Sequence, residues 1–274
     1  MLDREIAEAA RIAREAGAIL MDIYATEFDV AYKDDFDPVT EADTKANAYI
    51  VDQIRRAFPD DGIVAEESED RSDALEAGRC WYVDPLDGTK EFVARNGEFS
   101  VMLGLAIDGV ATAGVVYRPE GDKLYSGVVG DGAYLEAGGK RTPLNVSTVA
   151  NPSRLRLVVS RSHRNRAVRE VVAQLAITDE TTSGSVGLKA GLIAEQKADL
   201  YVHIAAKSSR WDACGPEAVL RAAGGRFTDL AGNPYRYGGM DMLNRGGILA
   251  CNAAAYDAVL PVAREAARAV GLID

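Results

Sequence analysis

Residues 81–92 read WYVDPLDGTKEF, and this stretch constrains the fold more than any other. Trp81, Tyr82 and Val83 are strand formers. Pro85 and Gly88 break regular structure. A strand that stops here delivers Asp84, Asp87 and the Thr89 hydroxyl to one edge of a sheet. On the residues alone two readings stay open: a polar turn on a solvated acidic edge, or a metal site that handles phosphate.

The flanking sequence supplies the sheet and its helices. Residues 3–25 place Ile6, Ala9, Ala13, Ala16, Leu20 and Ile23 at helical spacing. A polar stretch follows, and Thr40 then stands where it can cap a helix over 41–57. Asp43 falls in the first turn of that helix, at the positive end of its dipole. GIVAEES (62–68) reads as a short strand ending in Glu66 and Glu67. FSVMLGLAI (99–107) and ATAGVVY (111–117) flank an Asp108-Gly109 turn, a hairpin pattern, and KLYSGVV with GAYLE forms another. The first half is expected as two helices on an antiparallel sheet. Around 141–154 the chain turns polar and irregular. The domain boundary is placed there, giving an N-terminal α+β domain (1–150) and a C-terminal α/β domain (151–274). In the second half, strands at 155–160, 198–204, 225–230 and 246–251 alternate with helices at 164–176, 186–197, 212–223 and 254–270, an α/β signature.

Composition narrows the function. The 274 residues carry 31 Lys+Arg against 42 Asp+Glu, a net charge of −11. That balance argues against a nucleic-acid partner. It leaves room for a small phosphorylated ligand, because a bound cation inverts the local sign. The 3 cysteines form no CxxC pair, as expected for reduced thiols in the cytoplasm. The charged N-terminus has no signal-peptide core. No run reaches the roughly 18 apolar residues of a membrane span. With only 2 histidines, zinc or histidine-base chemistry is disfavoured; His203 lies in a strand and reads as structural.

The acidic residues at strand ends and helix starts are Glu66, Glu67, Asp84, Asp87 and Asp212 (in RWDACGPEA), with Asp43 a further candidate. Hard divalent cations take oxygen ligands. Two such ions about 3.5–4 Å apart can clamp both oxygens of an in-line displacement at phosphorus. Asp84, at the strand end, is the natural bridge. A helix starting at Thr89 would aim free N–H groups at the same phosphate, and Gly88 lets the backbone approach closely.

Four segments, DPVTEAD (37–43), GIVAEES (62–68), DPLDGTKEF (84–92) and WDACGPEAVLRAAGG (211–225), resemble in order and spacing the motifs of the inositol monophosphatase superfamily. The resemblance spans nearly the whole chain. It implies a layered α-β-α-β-α sandwich of the sugar-phosphatase type, an α+β / α/β fold with the site between two domains. It also implies a Mg²⁺-dependent, lithium-sensitive phosphatase using two or three ions. Glu66, Asp84 and the Leu86 carbonyl would hold the first ion, and Asp84, Asp87 and Asp212 the second. Gly88 and Thr89 would bind phosphate, Thr89 would orient the attacking water, and Asp43 would stand behind it.

Within that superfamily, Lys90-Glu91, RNGEFSV (95–101), VVSRSHRN (158–165) and SGSVGLKAGLIAE (183–195) are similar to the 3'(2'),5'-bisphosphate nucleotidases of the CysQ type. Those enzymes convert adenosine 3',5'-bisphosphate to AMP and phosphate, clearing a by-product of sulfate activation. The resemblance makes Lys90, Ser160, Arg161, Ser162, His163, Gly184, Ser185 and Lys189 substrate-binding candidates, Arg161 for the second phosphate. Lys207 and Arg210 precede Asp212 and could face the same space. An inositol, other sugar or histidinol phosphate is the alternative substrate. The oligomeric state, monomer or homodimer, stays open.

Overall fold

A computed structural model describes residues 2–34, 37–70, 78–161, 165–239 and 241–274. The first layer is a helix pair, α1 (Asp3–Tyr24) and α2 (Glu41–Ala57). Alanines on their inner faces let both helices sit close to the sheet beneath. Gly17 shows how close: a Cβ there would lie 2.5 Å from the Tyr117 ring. The polar stretch between the helices holds a small antiparallel pair, β1 (Val30–Asp34) and β2 (Asp37–Thr40), where no strand was expected.

The second layer is a seven-stranded sheet. In chain order its strands are β3 (Gly62–Ala65), β4 (Arg79–Asp87), β5 (Ser100–Ile107), β6 (Val110–Arg118), β7 (Lys123–Val128), β8 (Gly132–Ala137) and β9 (Lys140–Leu144), and they lie in that order across the sheet. The expected all-antiparallel sheet needs one correction, since β3 runs parallel to β4. Glu66 and Glu67 follow β3 in a turn rather than ending the strand. Along β4, Trp81 and Val83 join the cluster under α1 and α2, while Cys80 and Tyr82 face the other way. Both faces are covered, so the central strands read as continuous apolar runs. β9 falls where irregular chain was expected; four of its five residues are exposed and polar or proline, which hides it from a hydrophobic pattern.

The third layer is α5 (Val186–Ala194) and α6 (Arg210–Ala222), which pack on each other. α6 lies across β5, β6 and β7 through glycines. A Cβ on Gly104 or Gly114 would come within 2.4 Å of the Gly215 backbone. The fourth layer is a five-stranded sheet, ordered β11 (Asp179–Ser183), β10 (Arg156–Ser160), β12 (Leu200–His203), β14 (Ile248–Cys251), β13 (Arg226–Thr228). The outer helices α4 (Arg166–Leu175) and α7 (Tyr256–Ala269) close the stack. The layers therefore alternate α-β-α-β-α, as expected. Among the described residues no helix is long and apolar enough to cross a membrane.

Candidate active site

The site starts at the end of β4. In a regular strand, residues three apart point to opposite faces. Here the β4–β5 register runs Asp84↔Met102 and Asp87↔Ser100, so three steps on β4 oppose two on β5. That bulge turns both carboxylates toward one cavity. Leu86 N–H donates to Asp84 Oδ1 at 2.9 Å and fixes the bend. Gly88 then adopts φ 101° and caps the short helix α3 (Thr89–Val93). That backbone region favours glycine, and an added Cβ would also lie 3.0 Å from the Glu98 carbonyl.

Thr89 hangs on Asp43. Its Oγ1 lies 3.1 Å from Asp43 Oδ1 and 3.3 Å from the Leu86 carbonyl, and can donate to either. Asp43 Oδ2 accepts from Thr40 N–H and Oγ1 at 2.8 and 2.7 Å, the capping box of α2. Burial pushes the Asp43 carboxyl above its ordinary range, and nearby Glu67 pushes the same way.

The second wall is the turn into α5. Ser185 sits at φ 50°, an uncommon conformation for a residue with a side chain. Its hydroxyl donates to Asp87 Oδ2 at 2.6 Å and accepts from Leu188 N–H at 3.0 Å. Gly187 N–H reaches the same Asp87 oxygen at 3.1 Å. Lys189, one turn on, is 2 % exposed and donates to the carbonyls of Gly184 and Ser185 at 3.1 and 2.6 Å. Its ammonium lies 4.9 Å from the Tyr201 ring centre. Burial pulls its pKa down to about 8, against the pull of Asp87 and Glu91.

The third wall is the start of α6. Ser209 N–H donates to Asp212 Oδ2 at 2.6 Å, so the helix cap itself orients Asp212. Asp212 and Asp84 lie within hydrogen-bonding reach of each other, although they come from opposite halves of the chain. Burial holds Asp84 well above the ordinary carboxylate range, reinforced by Glu66, Asp87 and Asp212. Asp212 is raised by burial and then by Glu66 and Asp87. Asp87 is raised by burial too, with Lys189 and the Ser185 hydroxyl opposing it.

These walls enclose a cavity of about 580 Å³, in the size range of small-molecule sites. Of the residues expected at the site, Glu66, Asp84, Leu86, Asp87, Gly88, Thr89, Lys90, Ser160, Gly184, Ser185, Lys189 and Asp212 line it. Lys207 and Trp211 line it too, and so does His203, which sequence assigned only a structural place. Asp43 stands behind Thr89, where it was expected. Arg161 does not line the cavity. Its guanidinium forms a two-pronged pair with Glu98 at 2.8 and 2.6 Å, a geometry that satisfies its fork. Arg210 likewise turns aside, stacking on Tyr235 at 5.1 Å. Ser162 and His163 lie outside the described residues. Sequence reasoning missed Glu98, Tyr201, Ser208, Leu243 and Asn244. Glu98 sat inside RNGEFSV and Ser208 between Lys207 and Arg210, both already singled out; Tyr201 and Leu243 reach the cavity through tertiary packing, and Asn244 braces its edge by bonding Ser208.

The donor set tests the metal expectation. It consists of carboxylates and a main-chain carbonyl, which is the chemistry of a hard cation and not of zinc or copper. Among the described residues no three His, Cys, Asp or Glu side chains already stand in an arrangement that could hold a metal ion. Mg²⁺ suits an open set, because it keeps waters and takes one or two carboxylates together with substrate phosphate oxygens. A multivalent cation also relieves the repulsion that raises Asp84 and Asp212. The residues fit Mg²⁺.

Acidic side chains beside a glycine-threonine turn, set between two stacked sheets, suit the hydrolysis of phosphoric monoesters, and the relatives of this chain show that class. The inositol monophosphatase family pattern matches residues 1–268, and the chain belongs to that family. It is similar to the 3'(2'),5'-bisphosphate nucleotidase CysQ of Escherichia coli O157:H7, 38% identical over 233 residues that cover 84% of this chain and 92% of the relative. The namesake from Buchnera aphidicola is 34% identical over 240 residues, 86% of this chain and 87% of its own. Among solved structures, CysQ from Bacteroides thetaiotaomicron superposes with a TM-score of 0.76 at 31% identity, covering 91% of this chain and 97% of that one. The Thermotoga maritima IMPase gives 0.79 at 26% identity, covering 96% and 97%.

Proposed function

We propose that the protein removes the 3'-phosphate of adenosine 3',5'-bisphosphate, releasing AMP and phosphate, with Mg²⁺ bound among Glu66, Asp84, Asp87, Asp212 and the Leu86 carbonyl. The observation that carries this reading is the meeting of Asp84 and Asp87, from the β4 bulge, with Asp212, from the cap of α6, beside a glycine-threonine turn. The similarity to CysQ enzymes supports the choice of substrate.

Glu66, Asp84 and Leu86 would hold one ion, and Asp84, Asp87 and Asp212 another; a third would have to rest largely on water and substrate. When bound, Mg²⁺ offsets charge developing on the phosphoryl oxygens and makes water more acidic. The rest falls to the protein. Main-chain N–H groups at Gly88 and Thr89 hold phosphoryl oxygens. When the Thr89 hydroxyl donates to Asp43, its lone pairs are left to accept a hydrogen bond from the attacking water and so aim it at phosphorus. Ser185 and Gly187 keep Asp87 in place from the other wall. Asp212 holds a water that protonates the departing ribose oxygen. Lys189 spends its protons on the 183–185 turn, so it fixes that turn rather than gripping the substrate.

A sugar monophosphate is the second reading, favoured by the pairing of Arg161 with Glu98, which leaves that guanidinium occupied. Phosphate release from adenosine 3',5'-bisphosphate and from inositol 1-phosphate, at matched concentration with Mg²⁺, separates the two. Preference for the bisphosphate is expected. Preference for the inositol ester would keep the site and replace the substrate.

A further inference from the structure

Leu243 is 37 % exposed, one of two large apolar side chains so open among the described residues. A single exposed leucine needs no explanation. This one lines the central cavity, and its loop is pinned. Leu243 forms an isolated bridge with Ser209. Arg210 N–H donates to the Met242 carbonyl, and Asn244 N–H to the Ser208 carbonyl, both at 2.8 Å. The Asn244 side chain is 1 % exposed and uses both ends. Its Oδ1 accepts from Arg210 at 3.1 Å, and its Nδ2 donates to Ser208 Oγ at 3.1 Å and to the Ser209 carbonyl at 2.5 Å. Met242 on one side and Asn244 on the other are buried. The loop is thus riveted to the cap of α6, and it holds an apolar side chain out into a cavity whose adjoining residues, Lys207 to Ser209, are polar.

We propose that Leu243 is a specificity-determining residue, the apolar wall against which the substrate's nucleobase packs. The inference rests on the nucleotide reading given above. A substrate whose phosphoryl group sits on the Gly88–Thr89 turn extends its leaving group toward Asp212 and the α6 cap. In a nucleoside bisphosphate the leaving group carries the base, its one flat apolar surface. Leu243 stands beside that cap. A base-free sugar phosphate presents nothing for it to cover.

Steady-state kinetics on two substrates test this: adenosine 3',5'-bisphosphate, and the same bisphosphate with hydrogen in place of the base. The wild type is expected to prefer the nucleotide. Leu243→Ala should raise KM for the nucleotide by about tenfold, the scale of small apolar changes in a pocket. It should leave kcat unchanged, because contacts remote from phosphorus act equally in ground and transition states. The base-free compound should be unaffected, and Leu243→Met should restore the nucleotide KM. Equal losses on both substrates, no loss on the nucleotide, or equal wild-type kcat/KM for the two compounds would overturn the wall alone. Failure of the wild type to hydrolyse the nucleotide, while it cleaves inositol 1-phosphate, would overturn the nucleotide reading and the wall with it.

Discussion

Asp84 and Asp87 meet at one cavity because β4 carries one extra residue between them relative to β5, and hydrogen bonds from neighbouring elements keep it there. Asp87 is the more tightly held, by Ser185 and Gly187. Asp87→Asn keeps an acceptor for those donors but removes a charge, so the fold should survive and turnover should fall by more than about 100-fold. Circular dichroism with phosphate release checks both; near-normal turnover in the folded variant would remove Asp87 from the ligand set. Asp84 and Asp87 were legible because strand formers, breakers and carboxylates follow one another within the eight residues 81–88. The pairing of Arg161 was not legible, because a sequence does not show which carboxylate an arginine meets; here it is Glu98, 63 residues away. Leu243 and Asn244 were invisible for a related reason. Their roles come from a loop folding back on Ser208 and Ser209, with no local pattern to mark it.

Elements deliver these residues, and α6 is the most exacting. It carries Asp212 and rests on β5 and β6 where Gly104, Gly114 and Gly215 bring backbone against backbone. Gly104→Ala would thrust a methyl to 2.4 Å from Gly215 N, and neither backbone can yield cheaply. Overpacking of this kind costs roughly 1–3 kcal/mol, and at this size each kcal/mol lowers Tm by about 2–4 °C. Activity should fall further than stability predicts, because α6 moves Asp212 with it. Thermal melts and Mg²⁺-dependent turnover of the same preparation test this; an unchanged Tm would mean that the contact is slack. The amphipathic helices and the central strands were legible from period and length. β9 and β11 were not: KRTPL and DETTS are edge strands with four of five residues exposed. The β4 bulge was legible as an interruption, but not as the device that points two aspartates the same way.

At the scale of the whole molecule, burial of charge sets the pH range. Asp199 is buried between Arg156, Ser147 and Asn252, and Arg156 and Ser147 outweigh the cost of burial to hold its carboxyl low. Its contribution to stability is present above the ordinary carboxylate range and fades as pH falls through the depressed value. Glu217 works in the opposite sense. Burial in α6 raises it to about 7, against its bonds to Tyr237 and Arg221. Its contribution is complete below the unfolded carboxylate value and is lost as pH rises through about 7. Glu217→Gln should therefore match the wild-type Tm near pH 5 and exceed it near pH 8; an equal gap at both pH values would contradict the assignment. The layered stack and the division of the carboxylates between its halves lead to one claim above the rest, that these buried acids form a Mg²⁺ site for phosphate-ester hydrolysis. The most direct test is phosphate release from adenosine 3',5'-bisphosphate by chelator-stripped protein before and after Mg²⁺ is restored. The account predicts no release without the ion and full recovery with it. Undiminished release in excess chelator would contradict it.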